Sequence, residues 1–228
     1  YTGMTTGNHD YNYGYQRLSE LDALTEFPIL AANVLQADGT PLFAPYLIQE
    51  VGGITVGVFG LATPETTYKT HPKNVEGLVF VDPVATATQM VAKLREQVDV
   101  LIALTHLGLD TASPVTSRLV AEEVAGIDLI IDGHSHTQLP QGLWVGDTLI
   151  VQTGEYLQNL GVVELLIQDG RVVKKYAQLI DKTQATNVFG DSAVNQVLAE
   201  VQAENEKITA TVIGDTLVQL EGERAQVR

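Results

Sequence analysis

Two nearly continuous apolar runs, "VDVLIALTH" at 98–106 and "IDLIIDGHSH" at 127–136, constrain this chain more than any other feature. A strand with one wet face alternates apolar and polar residues. A run without alternation has protein on both faces, the habit of a central strand in a parallel sheet. Parallel neighbours need a crossover between them, and residues 114–125 read as the helix that provides it. Each run also ends in histidine: His106 after the first, His134 and His136 after the second. Ligands of open α/β sheets sit beyond the carboxyl ends of the strands, so these imidazoles are expected on one rim.

The rest of the chain extends that unit. "FPILAANV" (27–34) and "ITVGVFGL" (54–61) read as strands, the second joined to "YLIQEVGG" by a glycine turn. Residues 82–97 read as a helix with Asp82 as N-cap, Pro83 in the first turn, and Val84, Val91 and Leu94 on one face. "LWVGDTLIVQT", "GVVELLIQDG" and "RVVKKYAQLI" are β-rich, with a two-residue turn at Asp169-Gly170. Residues 192–208 form a last helix whose stripe is Val194, Val197, Val201 and Ile208. The pattern predicts an α/β fold, a mixed sheet flanked by helices. Residues 63–77, "TPETTYKTHPKNVEG", form the longest candidate loop, and His71 within it reads as a loop residue.

Charge narrows the ligand. With 13 Lys+Arg against 28 Asp+Glu the net charge is −15, which repels polyanions and argues against a nucleic-acid polymer as partner. A phosphate ligand would need neutralisation by something other than basic side chains, and a metal would do it. With no cysteine, thiol catalysis, thiolate zinc sites and disulfides are all removed. No apolar run reaches the ~18 residues of a membrane span, and no signal peptide is visible.

Four of the five histidines follow strand-like segments, and the fourth of these, His9, lies in "TTGNHDYNYG" (5–14). Gly7 is expected to permit a sharp turn that pushes Asn8 and His9 outward. Adjacent side chains diverge, so if the Asn8 carbonyl binds a metal, His9 faces the substrate instead as a proton donor. On extended chain His134 and His136 share one side, roughly 6.5–7 Å apart, close enough for each to hold one metal of a pair. Asp132 reads as a turn residue.

"GNHD" (7–10), "THLG" (105–108) and "DGHSH" (132–136) resemble the later metal-binding blocks of the calcineurin-like metallophosphoesterases, in particular the bacterial 5'-nucleotidase / 2',3'-cyclic-nucleotide phosphodiesterase family. "GLATPETTYKTHPKNVEGL" between them is similar to a loop of those enzymes. The resemblance implies a four-layer αββα sandwich of mixed sheets. It implies two divalent ions drawn from Mn, Zn, Co or Fe, with Asn8, His106 and His134 on one and His136 on the other. It implies hydrolysis of a nucleotide or nucleoside cyclic phosphate by a metal-bound hydroxide, with His9 protonating the leaving oxygen. It also implies an extracellular, periplasmic or cell-wall location.

Two departures from the family pattern stand out. Asn12 occupies the place of an aspartate that orients the catalytic histidine in many family nucleotidases. An amide can hydrogen-bond that histidine but has no charge to stabilise an imidazolium. The family's first blocks, Asp-x-His and a Gly-Asp that bridges both metals, are expected upstream of Tyr1. "LEGERAQVR" falls about where the family passes into its C-terminal nucleotide-binding domain. Residues 1–228 therefore read as a partial catalytic domain, inactive alone, from a phosphoester hydrolase. The alternative from another class is a non-catalytic surface-binding module on the same fold.

Overall fold

The computed structural model describes residues 1–185 and 188–220, so residues 221–228 of "LEGERAQVR" lie outside the described residues. The first half of the chain runs β1 (Met4–Thr5), α1 (Tyr15–Asp22), β2 (Ile29–Leu30), β3 (Val34–Gln36), β4 (Tyr46–Val51), β5 (Ile54–Ala62), α2 (Thr66–Lys69), β6 (Leu78–Phe80) and α3 (Pro83–Leu94). It continues through β7 (Val100–His106), α4 (Ser117–Glu123), β8 (Leu129–Ile131), β9 (Leu143–Val145), β10 (Thr148–Val151), β11 (Asn159–Gln168), β12 (Arg171–Asp181) and α5 (Ser192–Thr209). Two compact units result, Tyr1–Gln184 and Ala185–Arg228.

In the first unit a six-stranded mixed sheet runs in the order β4-β5-β7-β8-β10-β9. The parallel pairings β5–β7, β7–β8 and β8–β10 form its centre, and the antiparallel β4 and β9 close its edges. This is the mixed α/β architecture that the apolar runs predict. Phe59, Leu61, Leu101, Ala103 and Ile130 are fully buried against Ala87 and Leu94 of α3 and Val120 of α4. Each of the larger side chains contributes about 1.5–3 kcal/mol by leaving water. Asp82 caps α3 by accepting from Ala85 N at 2.7 Å, as its position before Pro83 requires. At Gly52-Gly53 both φ angles are positive, and so are those at Asp169-Gly170, which gives each hairpin a turn matching the twist of its strands.

A smaller layer crosses one face of this sheet. β1 pairs with β2, β3 pairs with β6, and Tyr11, Leu18, Ile29, Val34 and Phe43 form its core. It is seated through Gly60, where a Cβ would lie 2.1 Å from the carbonyl oxygen of Leu30, so only glycine allows the approach. The predicted strand at 27–34 is broken at 31–33, because Asn33 turns its amide inward to bond Ala62 N, Ala62 O and Val81 O. Residues 63–77 are not an open loop. α2 and a 3₁₀ turn at Pro72–Val75 occupy most of it, and His71 Nδ1 accepts from Lys73 N at 3.3 Å at the start of that turn. In the second unit Asp191 caps α5, which carries the expected stripe Val194, Val197, Val201 and Ile208.

A candidate metal and phosphoester site

The "NHDY" stretch, Asn8–Tyr11, is a single turn of 3₁₀ helix. With three residues per turn, positions i and i+3 eclipse. Asn8 and Tyr11 therefore point inward together, and His9 and Asn12 point outward together. Tyr11 anchors the turn: it is fully buried, donates to Thr6 Oγ1 at 3.1 Å and packs edge-on against Phe80. Gly7 does not have the positive φ that a sharp turn would need; its φ is −97°. It is glycine because a Cβ there would lie 2.7 Å from Cε1 of His106.

Asn8 Oδ1 lies 3.2 Å from His106 Nε2 and 3.0 Å from His134 Nδ1, and the two rings meet edge to face with centroids 4.9 Å apart. One amide oxygen and two imidazole nitrogens thus converge from three chain segments. Burial pushes the His106 pKa down from 6.5 to about 4, helped by the positive fields of His134, His9, His136 and Lys69, so its ring is neutral at pH 7. A divalent ion about 2.0–2.1 Å from each donor requires neighbouring donors about 3.0–3.4 Å apart. The spacing at Asn8 and the neutral state of His106 both fit a cation. Among the described residues no three His, Asp or Glu side chains come together in this way.

β8 ends at Ile131, so the expectation of extended chain through His136 fails. His134 and His136 have left-handed backbone, φ 78° and 55°, and do not point to one side by strand alternation. His134 turns to Asn8. His136 is more than half exposed and bonds Glu155 through Nδ1 at 2.5 Å; what reaches His106 from it is its field.

Asp132 is not a solvent-facing turn residue. Its carboxylate is buried, and Oδ1 accepts from Thr105 Oγ1 at 2.9 Å and from the backbone N–H groups of Leu107 and Gly108 at 3.1 Å. Oδ2 accepts from Gln152 Nε2, and Gln152 Oε1 accepts in turn from Thr137 N and Ser135 Oγ. Burial raises the Asp132 pKa against those hydrogen bonds. The pair ties together the exits of β7, β8 and β10, which is how His106 and His134 come to face each other. Asp10 is likewise occupied with its own turn, accepting from Gly7 N at 2.7 Å.

Three further side chains come from 63–77. Glu65 is buried and accepts from Tyr68 Oη at 2.7 Å, with Lys69 Nζ at 2.9 Å, Ser113 Oγ at 3.0 Å and His134 Nε2 at 3.0 Å around its other oxygen. Burial acts to raise its pKa, but the bonds from Lys69, Tyr68, His134 and Ser113 outweigh it and hold the group at about 2. Thr70 Oγ1 lies 3.1 Å from Asn12 Oδ1, and Asn74 Nδ2 donates to Asn12 O at 2.8 Å. Asn12 Nδ2 then meets His9 Nδ1 at 3.0 Å. The sequence reading missed Glu65, Thr70, Asn74 and Gln152 because their importance lies in contacts 15 to 69 residues away along the chain. The available signal was a carboxylate inside the apolar-to-threonine passage "GLATPET".

The calcineurin-like phosphoesterase family model matches residues 3–138. The trifunctional nucleotide phosphoesterase YfkN of Bacillus subtilis is 30% identical over 270 aligned residues, covering 100% of this chain and 18% of YfkN. The 2',3'-cyclic-nucleotide 2'-phosphodiesterase/3'-nucleotidase of Yersinia enterocolitica is 29% identical, covering 90% of this chain and 35% of that protein. A 5'-nucleotidase precursor from Thermus thermophilus, known as a crystal structure, superposes with a TM-score of 0.78 at 28% identity, over 99% of this chain and 47% of that one. The chain thus spans less than half the length of each of these three. Over residues 3–138, through "GNHD", "THLG" and "GHSH", the chain belongs to the calcineurin-like phosphoesterase family.

Proposed function

We propose that the protein hydrolyses nucleotide phosphoesters, as a 5'-nucleotidase, a 2',3'-cyclic-nucleotide phosphodiesterase or both, with divalent metal ions. The observation that carries this reading is the convergence of Asn8 Oδ1, His106 Nε2 and His134 Nδ1 beside an outward-facing His9. Relatives named for both activities support the substrate class. Asn8, His106 and His134 would hold one ion, and His136 a second if it left Glu155. Drawn from Mn, Zn, Co or Fe, such ions supply Lewis acidity and lower the pKa of coordinated water.

The chain's own residues do the rest. Asn12 Nδ2 can donate only to an unprotonated Nδ1, so neutral His9 carries its hydrogen on Nε2, at the open face, where it can hydrogen-bond a leaving oxygen. Protonating that oxygen takes a second ring proton, on Nδ1, which the Asn12 amide would have to turn its oxygen to accept. Thr70 fixes the direction of that amide by donating to its oxygen. The net charge of −15 leaves neutralisation of the phosphate to the ions and argues against a polynucleotide groove. Location outside the cytoplasm or at the cell wall belongs to the same proposal and rests on the family resemblance. No helix among the described residues is long and apolar enough to cross a membrane.

The test is release of phosphate from 5'-AMP and ring opening of 2',3'-cyclic AMP, with Mn²⁺ or Co²⁺ added. It compares residues 1–228 with the chain extended upstream through Asp-x-His and Gly-Asp blocks. Activity is expected in the extended chain and background in the shorter one. Metal uptake without hydrolysis in both would favour the binding-module reading.

A further inference from the structure

The contact between Glu65 and His134 has a consequence for protons. An ionised carboxylate only accepts hydrogen bonds, so the 3.0 Å approach of His134 Nε2 to Glu65 Oε2 is a bond only if Nε2 carries the hydrogen. A neutral imidazole has one N–H, which leaves Nδ1 with its lone pair. That lone pair faces Asn8 Oδ1, an acceptor, at 3.0 Å, and the same oxygen lies 3.2 Å from His106 Nε2. A cation among the three converts a facing of lone pairs into shared coordination.

From this geometry, and resting on the metal-site reading above, we propose that Glu65 is a positioning residue: it fixes the His134 tautomer and ring so that Nδ1 is presented to a divalent cation. Imidazole ligands commonly donate their second N–H to a carboxylate in this way. Glu65 is built to hold still. Its N–H donates to Thr63 Oγ1 at 3.2 Å, Thr66 Oγ1 bonds Thr63 O at 2.7 Å, and Ser113 and Tyr68 brace the carboxylate. The rival donor is Lys69, whose Nζ lies 3.0 Å from His134 Nε2. If Lys69 donated there, Nε2 would be bare and Nδ1–H would donate to Asn8. Burial decides between them: Glu65 is 6% exposed in its side chain and needs its donors, whereas Lys69 at 35% can turn two of its three hydrogens to Glu65 and water.

The experiment uses the ¹⁵N-labelled 228-residue chain and reads the His134 ring nitrogens by long-range ¹H–¹⁵N correlation. Co²⁺ binding is followed in parallel by visible absorption. The wild type is expected to show Nε2 protonated and Nδ1 bare. Glu65→Ala should mix the two tautomers and weaken Co²⁺ binding roughly 10–100-fold. Glu65→Gln, whose amide oxygen still accepts, should restore the tautomer and most of the affinity. Lys69→Met should leave the tautomer unchanged. A bare Nε2 in the wild type, or loss of the tautomer in Lys69→Met, would overturn the proposal whether or not Glu65→Ala folds. So would a Glu65→Ala chain with unchanged tautomer and affinity. The expected tautomer with no Co²⁺ uptake in the wild type would instead overturn the metal-site reading, and the proposal with it.

Discussion

A Cβ built on Gly7 would lie 2.7 Å from Cε1, 2.9 Å from Nε2 and 3.0 Å from Nδ1 of His106, so the imidazole rests directly against a bare stretch of backbone. The prediction is that Gly7→Ala displaces the His106 ring without altering any donor atom. It should cost about 1–3 kcal/mol of stability, the usual range for overpacking. Urea unfolding and Co²⁺ titration check it, and Co²⁺ affinity should fall with the stability.

His9→Ala should lower phosphoester turnover roughly 10²–10⁴-fold, the range of a positioned acid or base. Because His9 points outward while Asn8 points inward, metal content should stay near that of the unmodified protein. Elemental analysis of the active protein decides; an emptied site would make His9 a ligand.

Asn12→Asp reverses a hydrogen bond. A carboxylate accepts only, so His9 must place a hydrogen on Nδ1 where Asn12 Nδ2 now donates. The ¹⁵N shifts of the His9 ring should move accordingly. Thr70→Val, which frees the amide to flip, should give an intermediate mixture.

Asp132→Ala removes the acceptor for Thr105, Leu107, Gly108 and Gln152 together. Each orphaned buried donor costs about 1–3 kcal/mol, partly relieved by relaxation, so a loss of about 3–5 kcal/mol is expected. Asp132→Asn, which keeps an acceptor oxygen, should lose less. Urea denaturation measures both.

In the presence of a chelator the chain should lose stability on acidification between pH 6.5 and about 4. Burial holds the folded His106 pKa near 4, whereas the unfolded side chain takes up its proton near 6.5. Across that window the unfolded state binds more protons, so the contribution is full above pH 6.5, declines as pH falls, and is gone below about 4. Its size is at most about 3 kcal/mol. Unfolding free energies at about pH 7.5, 5.5 and 4.5 check the sign, and His106→Gln should flatten the slope.

How much of this was legible in the residues follows from the range of the forces involved. Apolar runs with no alternation marked β7 and β8, the glycine turn after "YLIQEV" marked β5, and Asp82-Pro83 marked the start of α3, because strand burial, turns and helix capping act through neighbouring residues. The histidines at strand ends pointed to one rim for the same reason. The blocks "GNHD", "THLG" and "DGHSH" identified the family directly from order and spacing. Tertiary structure decided what no local rule could. It turned His134 and His136 apart through left-handed backbone, and made Gly7 a seat for a ring rather than a hinge. It also took Asp132 and Glu65 from their turns and buried them as acceptors for side chains far along the chain. A buried carboxylate is stable only where several donors meet, and which donors meet is fixed by strand order and packing, not by the residues on either side.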